Sequence, residues 1–145
     1  EDAINSARAA VQEGIIAGGG SVLVQIAQEL RSYADEFSGD TQVGVLALAK
    51  ALVKPTFWIA ENAGVDGSVV VSRVADLKNG FGFNAATLGY DDLLAAGIID
   101  PVKVTHSAVV NATSVARMVL TTEASVVDKP QPPAPPAPGG HGHHH

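Results

Sequence analysis

The sequence predicts a mainly α-helical protein with a short β-hairpin around residues 80–99 and a C-terminal strand. Three observations carry this. Apolar residues recur three and four apart in several separate windows, the spacing of one helix face. Glycine, proline and polar turn residues divide those windows. Only near Gly80 does the texture change, to an alternation of aromatic and small residues that has the period of a strand. With 145 residues, 46% of them hydrophobic and 17% charged, the chain is long and apolar enough for one domain with a core.

Taken in order, Ile4, Ala7, Val11 and Ile15 predict a helix over residues 2–16, ended by Gly14 and by the triplet Gly18-Gly19-Gly20. Residues 21–37 repeat the pattern with Leu23, Ile26, Leu30, Tyr33 and Phe37, and Ser21 is a suitable N-cap. A polar turn, Ser38 to Thr41, precedes a third helix over 42–53, which stops at Lys54 because Pro55 disfavours helical geometry in the residue before it. Pro55 also suits the first turn of the next helix, through Asn62, whose Phe57, Trp58 and Ile59 must be buried or meet a partner. After the turn Gly64 to Gly67, Ser68 can cap a short helix through Val74. Gly80 to Asn84 reads as a strand, Asp91 to Ala96 as a helical turn, and Ile98-Ile99 as a second short strand. Asp100-Pro101 then opens the strongest helix, with Asp100 in the N-cap position and a stripe of Val104, Ala108, Ala112, Val115 and Val119 facing the core. Ala124 to Val127 is strand-like, and the proline-rich stretch from Lys129 cannot pack a core.

Composition narrows the function. The net charge is −6 with only 9 Lys and Arg, and no basic cluster occurs, so nucleic acid is not an expected partner. The absence of cysteine leaves neither a disulfide framework nor thiolate chemistry, which fits a cytoplasmic protein. The most apolar run, Val43 to Val53, is interrupted by Lys50 and is too short to span a bilayer. The helical pattern is already running at Glu1, as in a piece of a longer polypeptide. The triplet has two readings that stay open on residues alone. It is a corner between two helices, or a place where backbone without Cβ atoms lets an anion or ribose approach the start of a helix.

Several segments occur together in order: Glu1-Asp2-Ala3, Ala17-Gly18-Gly19-Gly20, Gly82-Phe83-Asn84-Ala85-Ala86-Thr87, the run from Gly97 to Thr105, and Leu120-Thr121-Thr122-Glu123. This set, with its spacing, closely resembles the C-terminal quarter of group I (GroEL-type) chaperonins over residues 1 to about 128. The resemblance implies two parts: residues 1–12 as the end of an intermediate-domain helix and residues 13–128 as the C-terminal half of an equatorial, ATP-binding and ring-forming domain; residues 129–145, rich in proline and then histidine, are expected to be a disordered tail. It implies an ATP-dependent chaperone whose ring subunits, with a co-chaperonin, assist unfolded client proteins.

The same resemblance assigns roles. Gly19 matches the glycine whose backbone lies against bound nucleotide, Asn84 and Ala85 match the adenine-side contacts, Asp100 matches the acid on the ribose hydroxyls, and Asp2 matches the catalytic aspartate that orients the attacking water. Each has a plain chemical basis. A side chain at Gly19 would block close approach, an Asn amide can read a base edge, and a carboxylate can accept from two hydroxyls. Each also has a structural alternative: Asn84 as a turn residue, Asp100 as a helix cap, Asp2 as an acid favoured in a first helical turn. The family's Gly-Asp-Gly-Thr-Thr loop, with its Mg²⁺-binding aspartate, does not occur here, so this chain alone is expected to lack ATPase activity and to hold nucleotide weakly.

Two departures from the family pattern stand out. Phe57-Trp58 replaces residues that are more often polar near the ring–ring contact, which implies altered association between rings. The tail ends in His141, His143, His144 and His145 rather than Gly-Gly-Met repeats, similar to the His-rich ends of an actinobacterial chaperonin paralogue. Such a density of imidazoles, natural or appended as a tag, can bind Ni²⁺, Cu²⁺ or Zn²⁺. His106 falls inside the last helix and is expected at the surface. Because half a domain leaves core faces uncovered, self-association is also expected.

Overall fold

The computed structural model describes residues 2–124. The elements run α1 (Asp2–Glu13), β1 (Ile15–Ala17), α2 (Ser21–Ala34), α3 (Gly39–Leu52), α4 (Lys54–Asn62), α5 (Gly67–Ala75), β2 (Phe81–Asn84), β3 (Gly89–Asp92), β4 (Ile99–Pro101) and α6 (Val102–Thr121). The protein is thus mainly helical, with two small antiparallel ladders, β1–β4 and β2–β3.

Small residues let the helices come close. Val24 of α2, Ala60 of α4, Val70 and Val74 of α5 and Phe83 of β2 form one buried cluster, with Ile59, Val65, Leu77 and Tyr90 packed around it. A second cluster joins Ala27 of α2 to Ala49 and Leu52 of α3. The α4–α5 corner is tight because Gly67 has no β-carbon: one built there would stand 2.6 Å from the Phe57 carbonyl oxygen. Asp66 caps α5, its Oδ1 accepting from the amides of Ser68 (2.8 Å) and Val69 (3.1 Å), so the cap lies two residues before Ser68.

The helix pattern is realised with shifts that have physical causes. The first helix ends at Glu13, because Gly14 at φ +89 reverses the chain and frees Ile15–Ala17 to pair with Ile99–Pro101. Its expected stripe is outside: Ile4 is 61% and Val11 87% exposed, while Ala9 is the buried contact. On α2 the buried positions are Ser21, Val24, Ala27 and Ala34, with Ile26 and Tyr33 exposed. The partner of β2 is residues 89–92, not Ile98-Ile99. Asp100 does not cap α6. It pairs with Ile16 inside β4, and Pro101 occupies the N-cap position. The α6 stripe is exposed along its length, Val104, Val115 and Val119 among it, because α1, β4 and Val109 are the attachments that hold this helix to the rest. Ala124 lies outside any strand, and the rest of the expected C-terminal strand falls outside the described residues.

Helices α3 and α4 are separated by Val53 alone, and together Gly39–Asn62 make a run of 24 residues that contains an 18-residue window of mean hydropathy 1.5, long and apolar enough by those measures to cross a membrane. This corrects the shorter run read from the sequence. Ala49, Leu52, Thr56 and Ala60 of this run are buried within the protein, Val43, Leu46, Leu48 and Trp58 are exposed, and Lys50, Lys54 and Glu61 interrupt it.

Leu93, 0% exposed beneath the hairpin, is the largest fully buried side chain. Leu93→Ala is expected to cost about 2–5 kcal/mol, the range for truncating a buried leucine, read as a lowered denaturant midpoint at unchanged slope.

Candidate functional site

Three separate segments converge on Gly18-Gly19-Gly20. The Gly18 amide donates to the Ile98 carbonyl at 2.9 Å, and a β-carbon at Gly18 would stand 3.2 Å from that carbonyl. The buried Thr56 hydroxyl donates to the Gly19 carbonyl at 2.9 Å. A β-carbon at Gly20 would lie 2.8 Å from that same hydroxyl oxygen. Gly19 and Gly20 both adopt left-handed backbone, φ +64 and +74, which costs a side-chain-bearing residue about 1–2 kcal/mol. One further bond and one close approach tie the corner: Ser21 Oγ donates to the Gly18 carbonyl at 2.8 Å, and Gly82 packs so closely that a β-carbon there would meet Ser21 Cβ at 2.7 Å.

Gly19 differs from its neighbours. An added β-carbon there would meet only the Phe83 carbonyl oxygen, at 3.7 Å, so the position faces open space beside the end of β2. Phe83 immediately precedes Asn84, and Ala85 follows, exposed at the mouth of the hairpin turn. The β1–β4 ladder meanwhile sets Asp100 opposite Ile16, two residues before Gly18. Gly19, Asn84, Ala85 and Asp100 are therefore carried by segments tied to one corner, although they span 82 positions of sequence. Asp2 stands apart. It begins α1, and a helix rising about 1.5 Å per residue sets it roughly 18 Å from Gly14.

The polar groups divide into committed and uncommitted. Asn84, 8% exposed, donates from Nδ2 to Asp91 Oδ2 at 2.9 Å and accepts at Oδ1 from the Ala86 amide at 3.1 Å. Its turn role is real. Asp92 accepts from the Ala95 amide at 3.0 Å. Asp100 is half-buried, and among the described residues its carboxylate accepts no hydrogen bond. Among the described residues no three His, Asp or Glu side chains cluster, so they build no cage for a cation such as Mg²⁺. His106 is exposed on α6, and His141, His143, His144 and His145 lie outside the described residues. A cavity of about 340 Å³ lies elsewhere, between α2, α3, α4 and α5, and is lined by Arg31, Lys50 and Lys54 but by none of the corner residues. Sequence reading passed over Thr56 and Asp91. The one signal for Asp91 is the spacing of Gly82 and Gly89, which clears its side of the hairpin.

A model of the TCP-1/cpn60 chaperonin family matches residues 1–130. The chain belongs to this family. Among relatives of this chaperonin chain, Chaperonin GroEL 1 of Corynebacterium diphtheriae is 74% identical over 133 residues, covering 92% of the chain and 25% of the relative. Chaperonin GroEL 1 of Corynebacterium efficiens is 70% identical over 145 residues, 100% of the chain and 27% of the relative. Chaperonin GroEL 1 of Mycobacterium ulcerans is 58% identical over 99% of the chain and 26% of that protein. The chain thus spans about a quarter of the length of these relatives. Its fold is similar to the open-state monomer of a group II chaperonin from Methanococcoides burtonii, with a TM-score of 0.76 and 26% identity, over 83% of the chain and 31% of that structure. The mainly helical architecture expected of a chaperonin equatorial region is therefore the one observed.

The corner separates two substitutions. Gly19→Ala is expected to cost about 1–2 kcal/mol, from left-handed backbone alone. Gly20→Ala adds overpacking against Thr56 and is expected to cost roughly 2 kcal/mol or more. Denaturant midpoints of the two variants against the parent sequence check the order.

Proposed function

We propose that this chain is the C-terminal part of an ATP-dependent chaperonin subunit and supplies the adenosine-facing wall of its nucleotide pocket. The observation that carries the reading is the half-buried carboxylate of Asp100, which accepts no hydrogen bond among the described residues and is carried by the strand paired with Ile15–Ala17, just before the open backbone at Gly19. In this reading Gly19 lets the nucleotide approach the main chain, Asn84 and Ala85 take the base, and Asp100 accepts from the ribose hydroxyls. Asp2 orients the attacking water once its helix swings toward the pocket. ATP with Mg²⁺ supplies the energy of the cycle when bound, and residues outside this chain hold the phosphates and the ion. Catalysis of phosphoryl transfer rests mainly on positioning and electrostatics, so a single well-placed carboxylate is a sufficient role for Asp2. The chain by itself is then inactive.

The wider assignments follow the family: a cytoplasmic subunit assembled in rings, working with a co-chaperonin on unfolded clients. The bare apolar faces of α1 and α6 support burial against further protein. Trp58, 58% exposed and stacked edge-on to Phe57 at 5.2 Å, supports the reading that contact between rings is altered. The histidine-rich end, His141 to His145, is read as able to take up Ni²⁺, Cu²⁺ or Zn²⁺, from its density of imidazoles.

In the full-length subunit, Asp100→Ala is expected to weaken ATP binding by roughly ten- to a hundredfold, the value of hydrogen bonds to a charged acceptor. Asp2→Ala is expected to abolish hydrolysis while leaving binding intact. Equilibrium nucleotide binding together with single-turnover hydrolysis separates the two. Unchanged ATP affinity in Asp100→Ala would remove the basis of the reading.

A further inference from the structure

The hairpin carries a residue to which the family resemblance gives no role. Its register sets Asn84 opposite Gly89 and Gly82 opposite Asp91. Both directly opposed positions lack a side chain, so on this face only Asn84 and Asp91 project. They are diagonal neighbours, normally some 7–8 Å apart along the backbone. The two glycines leave nothing between them, and Nδ2 of Asn84 reaches Oδ2 of Asp91 at 2.9 Å. The same face packs on the start of α2, since a β-carbon on Gly82 would meet Ser21 and Leu93.

This pair decides how the amide points. An ionised carboxylate only accepts, so Asp91 draws the NH₂ end of Asn84. The Ala86 amide only donates, and at 3.1 Å it draws the oxygen end. The two neighbours together permit one of the two flip states. Thr87 adds a second donor to the same Asp91 oxygen, at 3.4 Å. Asn84 is left with one free N–H and one free lone pair in a fixed order. On the Watson–Crick edge adenine presents a donor at N6 beside an acceptor at N1, and guanine an acceptor at O6 beside a donor at N1; on the other edge both offer N7 as an acceptor, but adenine adds a donor and guanine a second acceptor. An amide locked in one flip state therefore fits one of them, and an amide free to flip fits both.

We propose that Asp91 is a positioning residue that locks the Asn84 amide and thereby sets the preference for adenine over guanine. This rests on the nucleotide-binding reading above, and the test distinguishes failure of one from failure of the other. ATP and GTP affinities are measured by competition in the full-length subunit, for the parent sequence and for Asp91→Ala, Asp91→Asn, Asn84→Ala and Asp100→Ala. Asp91→Ala is expected to lower ATP affinity roughly five- to tenfold, with GTP affinity unchanged or raised, so that discrimination collapses. Asp91→Asn still offers a carbonyl oxygen to Asn84 and is expected to retain most of the preference for ATP. Adding Asp91→Ala to Asn84→Ala should change selectivity no further, because both act through one amide. Asp100→Ala should lower both nucleotides equally, since they share the ribose. Unaltered selectivity in Asp91→Ala overturns the proposal. So does an equal fall of ATP and GTP in that variant, which would mean that Asp91 only holds the hairpin together. A parent subunit that binds neither nucleotide, or an Asp100→Ala variant that binds both as before, overturns the nucleotide reading and this proposal with it.

Discussion

Three segments far apart in sequence close on a stretch of backbone that has no β-carbons. The Ile98 carbonyl meets Gly18, the Thr56 hydroxyl meets Gly19 and crowds Gly20, and β2 presses on Ser21 through Gly82. Side chains at Gly18 or Gly20 would push Ile98 or Thr56 away. Two of the three glycines also need left-handed backbone. The hairpin, the β1–β4 ladder and the start of α4 are positioned relative to α2 by this close approach. The apolar clusters then hold what the corner has arranged, with Val24 and Phe83 linking α2 and β2 to α4 and α5.

The corner gives two acids and one amide different tasks. Asp91 is consumed by the hairpin, and Asn84 spends one donor and one acceptor there. Asp100 is held by its backbone, through pairing with Ile16, and among the described residues its carboxylate accepts no hydrogen bond. A carboxylate fixed through the main chain is already positioned for a ligand without competing side-chain bonds. A β-ladder provides this and a helix cap would not, because a capping carboxylate is occupied by helix amides.

Much of this was legible in the sequence. Pro55 set the α3–α4 boundary within a residue or two, and the apolar spacing marked the helices. The ordered motifs around Gly19, Asn84 and Asp100 identified the family. What was not legible has a common cause in long-range contact. Ile15–Ala17 continues the helical spacing of α1 and becomes a strand only because residues 99–101 lie beside it, 84 positions on. Asp100-Pro101 has the form of a helix start, and the same ladder shifts the cap to Pro101. The stripes of α1 and α6 are correct as helix faces and wrong as core, since periodicity reports that a face is apolar and not what covers it. Asp91 escaped notice because its role depends on the absence of side chains at Gly82 and Gly89, which only the strand register brings opposite each other.

The claim at the centre is that the glycine corner forms one wall of a nucleotide pocket. A structure of the full-length subunit bound to an adenosine nucleotide tests it most directly. The account predicts the ribose hydroxyls on Asp100, the base against Asn84 and Ala85, and the nucleotide against the main chain at Gly19. A nucleotide seated elsewhere, for instance in the cavity lined by Arg31, Lys50 and Lys54, with Asp100 left in solvent, would contradict it.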